Sequence, residues 1–125
     1  MSNSHAEVRV ARIYEEPTAA DGRRILVDRL WPRGVSKEKA KLDDWCKEVA
    51  PTDDLRHWYL HDPERFAEFA ARYRAELATG EQAEALARIA AEARAGTVTL
   101  LTATKQVEIS QAAVLKSVIE DLDAR

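Results

Sequence analysis

At 125 residues, with 46% apolar and 33% charged side chains, the chain has the length and mixture of one globular domain rather than a catalytic module joined to a partner module. No apolar run is long enough to cross a bilayer, and the start, Met1-Ser2-Asn3-Ser4-His5, lacks the basic-then-apolar pattern of a secretory signal. A cytoplasmic protein without a membrane partner is expected, with residues 1–5 loosely ordered. The net charge of -3 argues against a wholly basic nucleic-acid binder, and a single cysteine, Cys46, excludes an intramolecular disulfide and a multi-cysteine metal cluster.

Glu7-Val8-Arg9-Val10 alternates polar and apolar side chains and continues through Ala11-Arg12-Ile13-Tyr14, which predicts a first strand. Pro17 and Asp21-Gly22 break the order. Arg24 to Leu30 carries three consecutive apolar residues before Asp28 and predicts a second, more buried strand that ends at Trp31-Pro32, after which Gly34 permits a turn. Ser36 is placed as the N-cap of a helix beginning at Lys37, with Leu42, Trp45, Cys46 and Val49 on one face.

A short helix after Thr52 carries Leu55, Trp58 and Tyr59. Asp62-Pro63 signals another start, because the carboxylate accepts from exposed amides while proline has no N–H to leave unpaired. The face of the next helix is Phe66, Phe69, Ala70, Tyr73 and Leu77. Thr79-Gly80-Glu81-Gln82 has capping-box spacing, and an alanine-rich helix runs to Ala95 with Leu86, Ile89, Ala90 and Ala93 inward, stopping at Gly96. Thr97 to Thr102 predicts a third strand, and Ser110 caps a last helix carrying Val114, Leu115, Val118, Ile119 and Leu122. The order predicts an α/β fold: a single compact domain with a small, at least partly parallel sheet and packed helices.

Chemistry concentrates in Asp28-Arg29-Leu30-Trp31-Pro32-Arg33-Gly34, placed by the strand pattern at the edge where open α/β sheets bind ligands. From Asp21 to Lys41, Arg23, Arg24, Arg29, Arg33, Lys37, Lys39 and Lys41 outnumber Asp21, Asp28 and Glu38, so a local positive surface coexists with an acidic whole. Arg29 and Arg33 suit phosphate or carboxylate because each guanidinium donates two parallel hydrogen bonds while staying charged, and Lys37 adds to the field. The alternative is an Asp28–Arg network that braces the turn.

Trp31 stacks on a ligand or fills the core; His61, beside Asp62-Pro63 and near Arg56, transfers a proton or makes a structural hydrogen bond. Cys46 reads as a structural thiol. No glycine-rich phosphate loop, nucleophile elbow, dinucleotide fingerprint or zinc motif is present in the sequence, and no cofactor or metal is expected.

Several separated motifs share a resemblance. Val27 to Gly34 with Ser36-Lys37, Leu55-Arg56-x-Trp58, and His61-Asp62-Pro63-Glu64-Arg65-Phe66 are succeeded by Phe69, Arg72-Tyr73 and Glu76-Leu77, then by Val98-Thr99-Leu100-Leu101 and Ala112-Ala113-Val114-Leu115. Over Val10 to Leu122 the chain resembles the short form of the family called domain of unknown function 488. The resemblance implies an α/β fold, carries no established activity, and directs attention to Arg29, Arg33, Lys37, Arg56 and His61. Where many relatives have an Asn-His pair before the final helix, this chain has Ser110-Gln111, neither of which titrates near neutrality.

The expected function is cytoplasmic anion binding, with a phosphate-bearing or carboxylate small molecule as ligand and a phosphorylated metabolite or nucleotide as substrate if there is turnover. Arg29, Arg33, Lys37 and Arg56 are the expected ligand-binding residues, and His61 is the catalytic candidate. The alternatives are a nucleic-acid-binding regulator and a protein-interaction module without catalysis.

Overall fold

Four short strands, Val8–Arg12 (β1), Arg23–Leu26 (β2), Asp44–Trp45 (β3) and Val98–Thr102 (β4), pair in the order β1-β4-β2-β3, every neighbour parallel. The computed structural model describes residues 7–123, so the expectation for residues 1–5 lies outside the described residues. Leu100 of β4 stands between Val10 of β1 and Ile25 of β2. All five β4 residues are buried, as a central strand covered on both faces requires.

Alternation along the strands divides the core. Ile25, Val27, Val98 and Leu100 face one cluster, formed with Phe66–Glu76, Gly80–Ala95 and Gln111–Asp123. Leu26 and Leu101 face a smaller one, closed by Ala40, Trp31, Val35, Leu42 and Trp45. The five helices among the described residues, numbered in chain order, are α1 Lys37–Ala40, α2 Asp53–Tyr59, α3 Phe66–Glu76, α4 Gly80–Ala95 and α5 Gln111–Asp123. The larger cluster contains an aromatic stack: Tyr59 lies over Phe69 with ring centroids 4.1 Å apart, and Phe69 over Tyr73 at 5.7 Å. Burying a side chain the size of Phe69 contributes about 1.5–3 kcal/mol.

Local signals place most boundaries. Thr52 accepts from the Leu55 N–H at the start of α2, Asp62 accepts from the Glu64 N–H with Pro63 beside it, and Ser110 accepts from the Ala113 N–H at 3.3 Å. Gly34 has φ +74°, the left-handed turn expected of it. Gly22 is more constrained: at φ +64° it lies so close to Thr97 that a Cβ would overlap the Thr97 carbonyl.

Three expectations are corrected. The second strand stops at Leu26 instead of reaching Leu30, because after Val27 donates to the Leu101 carbonyl at 3.0 Å the Asp28 side chain takes the Ala103 N–H. A carboxylate thus replaces the ladder acceptor, and the backbone is released from the sheet.

The helix from Lys37 is one turn long. Lys41 adopts φ +48°, the Asp43 carboxylate accepts from the Arg24 N–H, and Asp44–Trp45 then pairs beside β2 as an edge strand. Trp45 therefore reaches the core from a strand, Val49 from a 3-10 turn, and Leu42 and Cys46 from the residues that flank the strand, none of them from a helical face. Cys46 is buried, as a structural thiol would be, and burial pushes its pKa up.

The capping box at Thr79 does not form. Thr79 is the N-cap without a side-chain hydrogen bond, and the Gln82 amide donates instead to the Ala50 carbonyl and to Glu76.

Candidate ligand site

The release of the chain at Asp28 opens a cavity of about 400 Å³ at the C-terminal edge of β2 and β4, the place where parallel sheets present ligand-binding loops. Its lining comes from the loop after β2, the segment before α2, the later part of α2 and the turn after it, Phe69 of α3, the loop after β4 and the first residue of α5. The size is that of a small-molecule site.

Asp28 forms the floor. Its carboxylate accepts from the Thr102 hydroxyl at 2.8 Å, the Ala103 N–H at 2.8 Å and the side-chain amide of Gln111. Its carbonyl accepts from the Trp45 indole at 2.8 Å. Burial raises the Asp28 pKa; the hydrogen bonds from Ala103, Thr102 and Gln111 and the charge of His61 oppose that rise. No ion pair to Asp28 occurs among the described residues.

Arg29 serves the wall. Its Nε donates to the Pro51 carbonyl at 3.2 Å and its Nη2 to the Ala50 carbonyl at 3.0 Å, while Nη1 has no hydrogen-bond partner among the described residues. The same short segment is held from behind by Gln82 on Ala50 and by the Tyr73 hydroxyl on the Val49 carbonyl. The adjoining Thr52 is fixed by Glu76 through its N–H and its hydroxyl. This bracing sets where α2 begins, and so where Arg56, His57 and Tyr59 lie.

Arg56, His57 and His61 also line the cavity. Arg56 is paired with Asp53 at 2.6 Å, yet the pair is solvent-accessible and worth little to the fold. His61 comes directly after Leu60, and both have positive φ, +47° for Leu60 and +56° for His61. Two consecutive left-handed residues reverse the chain after α2, turning His61 back against Tyr59, with ring centroids 5.7 Å apart. Leu30 and Leu60, 65% and 69% exposed, supply an apolar rim with Trp31.

Of the residues singled out in the sequence, the fold brings Arg29, Arg56 and His61 to one cavity. Arg33 and Lys37 are exposed and outside its lining; the Arg33 carbonyl accepts from the Tyr14 hydroxyl. Proline at 32 and the left-handed Gly34 carry the chain away from the sheet edge before Lys37 is reached. Trp31 lines the cavity but is fixed, its indole donating to the Val35 carbonyl at 2.7 Å and packing edge-on against Trp45. Sequence reasoning assigned Arg29 to ligand or carboxylate; its partners are backbone carbonyls, which no side-chain pattern signals.

Asp28 and Gln111 belong to the cavity although neither was named as a site residue. Asp28 was signalled by its position beside Arg29, and Gln111 by its departure from the Asn-His pattern. Thr104 was not signalled at all. Among the described residues no group of three or more His, Cys, Asp or Glu side chains is arranged to hold a metal ion. No described helix is long and apolar enough to cross a membrane.

Uncharacterized bacterial proteins match nearly the whole chain in sequence. The chain is 48% identical over 112 residues to the uncharacterized protein Rv3073c of Mycobacterium tuberculosis and, to the same extent, to Mb3100c of Mycobacterium bovis, covering 90% of this chain and 92% of each relative. It is 38% identical over 115 residues to the uncharacterized protein YeaO of Escherichia coli, covering 92% of this chain and 98% of that protein. No solved structure gives a significant match. A family profile described as "Inactive DUF488-N3 subclade" matches residues 7–125, and the chain therefore belongs to the DUF488 family, in that subclade.

Proposed function

We propose that this is a cytoplasmic protein that binds a small anionic molecule in the cavity at the end of β2, without turning it over. The supporting observation is that Arg29, Arg56, His57 and His61 line one cavity of small-molecule size. Arg29 is immobilised by the Ala50 and Pro51 carbonyls. A guanidinium already fixed in place loses little entropy when an anion arrives, and phosphate or carboxylate matches its paired donors.

Binding without turnover is favoured by Gln111. It occupies a place beside Asp28 where an imidazole would supply a titrating group, and a side-chain amide does not exchange protons near neutrality. The description of the subclade as inactive points the same way.

Titration calorimetry with inorganic phosphate, simple phosphate esters and nucleoside monophosphates tests the reading. Arg56→Ala and His61→Ala are expected to weaken binding about tenfold or more, the loss of one charge-assisted hydrogen bond, whereas Arg33→Ala and Lys37→Ala are expected to leave it unchanged. Absence of anion binding at millimolar ligand removes the proposal. Binding of DNA or RNA that falls steeply with salt, and is lost in Arg33→Ala instead, would favour a nucleic-acid surface over a small-molecule cavity. Hydrolysis of the bound ester above that of Arg56→Ala would overturn the absence of turnover.

A further inference from the structure

A cavity built only to hold an anion has no use for a carboxylate in its floor, since Asp28 would repel the ligand that Arg29, Arg56 and the two histidines attract. Asp28 is nonetheless a lining residue. Its partners hold it as an acceptor: two hydrogen bonds, from Thr102 and Gln111, go to Oδ1, and one, from Ala103, goes to Oδ2. An ionised carboxylate has about four acceptor sites, so about one, on Oδ2, remains. No cation fills it, as no ion pair to Asp28 occurs among the described residues. The remaining site calls for a donor from the ligand.

The rest of the lining fits the same conclusion. A bare phosphate would occupy a small part of about 400 Å³. Leu30, Leu60 and Trp31 give one side of the cavity an apolar surface suited to the carbon skeleton of a larger molecule. Thr104 adds a hydroxyl that can donate or accept.

Resting on the anion-binding reading, we propose that the ligand is a hydroxylated phosphate of the sugar-phosphate class, free or as the ribose phosphate of a nucleotide, with one hydroxyl donating to Asp28 and the phosphate held by Arg29, Arg56 and His61. Asp28 is then the specificity-determining residue of the site. It rejects simple anions by repulsion and accepts those that bring a hydroxyl to its open position. Unpaired buried acceptors discriminate strongly between a ligand that carries the matching donor and one that lacks it.

Calorimetry with four probes tests this: ethyl phosphate, O-phosphoethanolamine, ribose 5-phosphate and adenosine 5′-monophosphate. Ribose 5-phosphate is expected to bind at least tenfold more tightly than ethyl phosphate to the wild-type protein. Asp28→Asn is expected to collapse that ratio while binding ethyl phosphate as well as or better than wild type, because the repulsion is gone. A variant that had merely lost its fold would bind neither probe, and the wild-type ratio alone still decides the proposal in that case.

Equal affinity for ethyl phosphate and ribose 5-phosphate overturns the hydroxyl inference and leaves anion binding standing. Preference for O-phosphoethanolamine over ribose 5-phosphate also overturns it, by showing that Asp28 takes an ammonium group. No binding of any probe removes both readings. Tighter binding of the nucleotide than of ribose 5-phosphate identifies the nucleotide as the source of the sugar phosphate, and the reverse identifies the free sugar phosphate.

Discussion

The side-chain amide of Gln111, the first residue of α5, donates to the carboxylate of Asp28 just beyond the end of β2, joining positions 83 residues apart. The Thr102 hydroxyl and the Ala103 N–H complete the arrangement from the end of β4. One carboxylate thereby fastens the two central strands and the last helix at the edge where the cavity opens. Gln111→Leu keeps the bulk but leaves Asp28 short of a donor, and is expected to lower the unfolding free energy by about 1–3 kcal/mol. Urea midpoints of the two proteins measure it; equal midpoints would mean that the bond contributes nothing.

Gln111→Glu makes a sharper case. Two carboxylates in contact do not ionise together easily, so the introduced group has its folded pKa raised above the unfolded value near 4.3. Its unfavourable contribution is small below that value and grows as pH rises through the folded pKa. The variant is expected to unfold at lower urea than wild type at pH 8 and to approach wild type near pH 4. A midpoint difference independent of pH would refute this.

On the opposite side of the sheet, Arg24 is buried at 6% exposure and pairs with Asp21 at 2.6 Å, while its Nε and Nη2 donate to the Ala40 carbonyl. Arg24→Ala leaves the Ala40 carbonyl without these donors and Asp21 with only Thr18 and the more distant Arg9 guanidinium at 4.0 Å, and is expected to cost about 1–3 kcal/mol. The hydrogen bond from the Thr18 N–H, with those from Arg24 and the Thr18 hydroxyl, outweighs burial and holds the Asp21 pKa below 3.8. The stabilisation is therefore complete above the unfolded pKa and disappears as pH falls through the depressed folded value. The stability difference between wild type and Asp21→Asn should shrink as pH is lowered from 6 to below 3; a constant difference over that range would contradict the linkage.

Tyr73 is fully buried, with its hydroxyl donating to the Val49 carbonyl behind the cavity wall. Burial drives its pKa well above 10.0, and burial also raises that of Tyr59. Alkaline titration of the folded protein, monitored by tyrosinate absorbance, is expected to leave Tyr73 protonated until the chain unfolds. Tyr73→Phe should lower stability by about 1 kcal/mol without moving the aromatic stack, as seen by near-ultraviolet dichroism and denaturant unfolding. Reversible ionisation of all three tyrosines below the unfolding transition would contradict the assigned burial.

Gly22→Ala combines a left-handed φ with overlap of the new Cβ on the Thr97 carbonyl at the beginning of β4. The backbone term alone costs about 1–3 kcal/mol, and displacement of Thr97 adds to it. The thermal midpoint should fall by several degrees, against almost no change for an Ala19→Ser control in the exposed turn before it. A neutral Gly22→Ala would mean that the β2 start is free to shift.

The helices α2 to α5 and the strands β1, β2 and β4 were legible because their signals are local. Thr52 and Asp62 cap the helical turns that begin beside them, Phe66, Phe69, Tyr73 and Leu77 repeat at helical spacing, and Val98 to Thr102 is continuously apolar or β-branched. The edge strand Asp44–Trp45 was not legible, since two residues carry no period and their conformation depends on pairing with Ile25 and Leu26. Leu42, Trp45, Cys46 and Val49 even imitate a helical face, although Trp45 lies in a strand, Val49 in a 3-10 turn, and Leu42 and Cys46 on either side of the strand.

Within the cavity the division is the same. Sequence alone determined the family resemblance, the α/β class and the importance of the run from Asp28 to Gly34, because neighbouring residues and their spacing carry that information. Only the tertiary structure decided that Arg29 faces the Ala50 and Pro51 carbonyls, that Arg56 and His61 share its cavity, and that Arg33 and Lys37 lie outside it. Those outcomes depend on parallel pairing between β2 and β4 and on a side-chain contact across 83 residues, which no local spacing encodes.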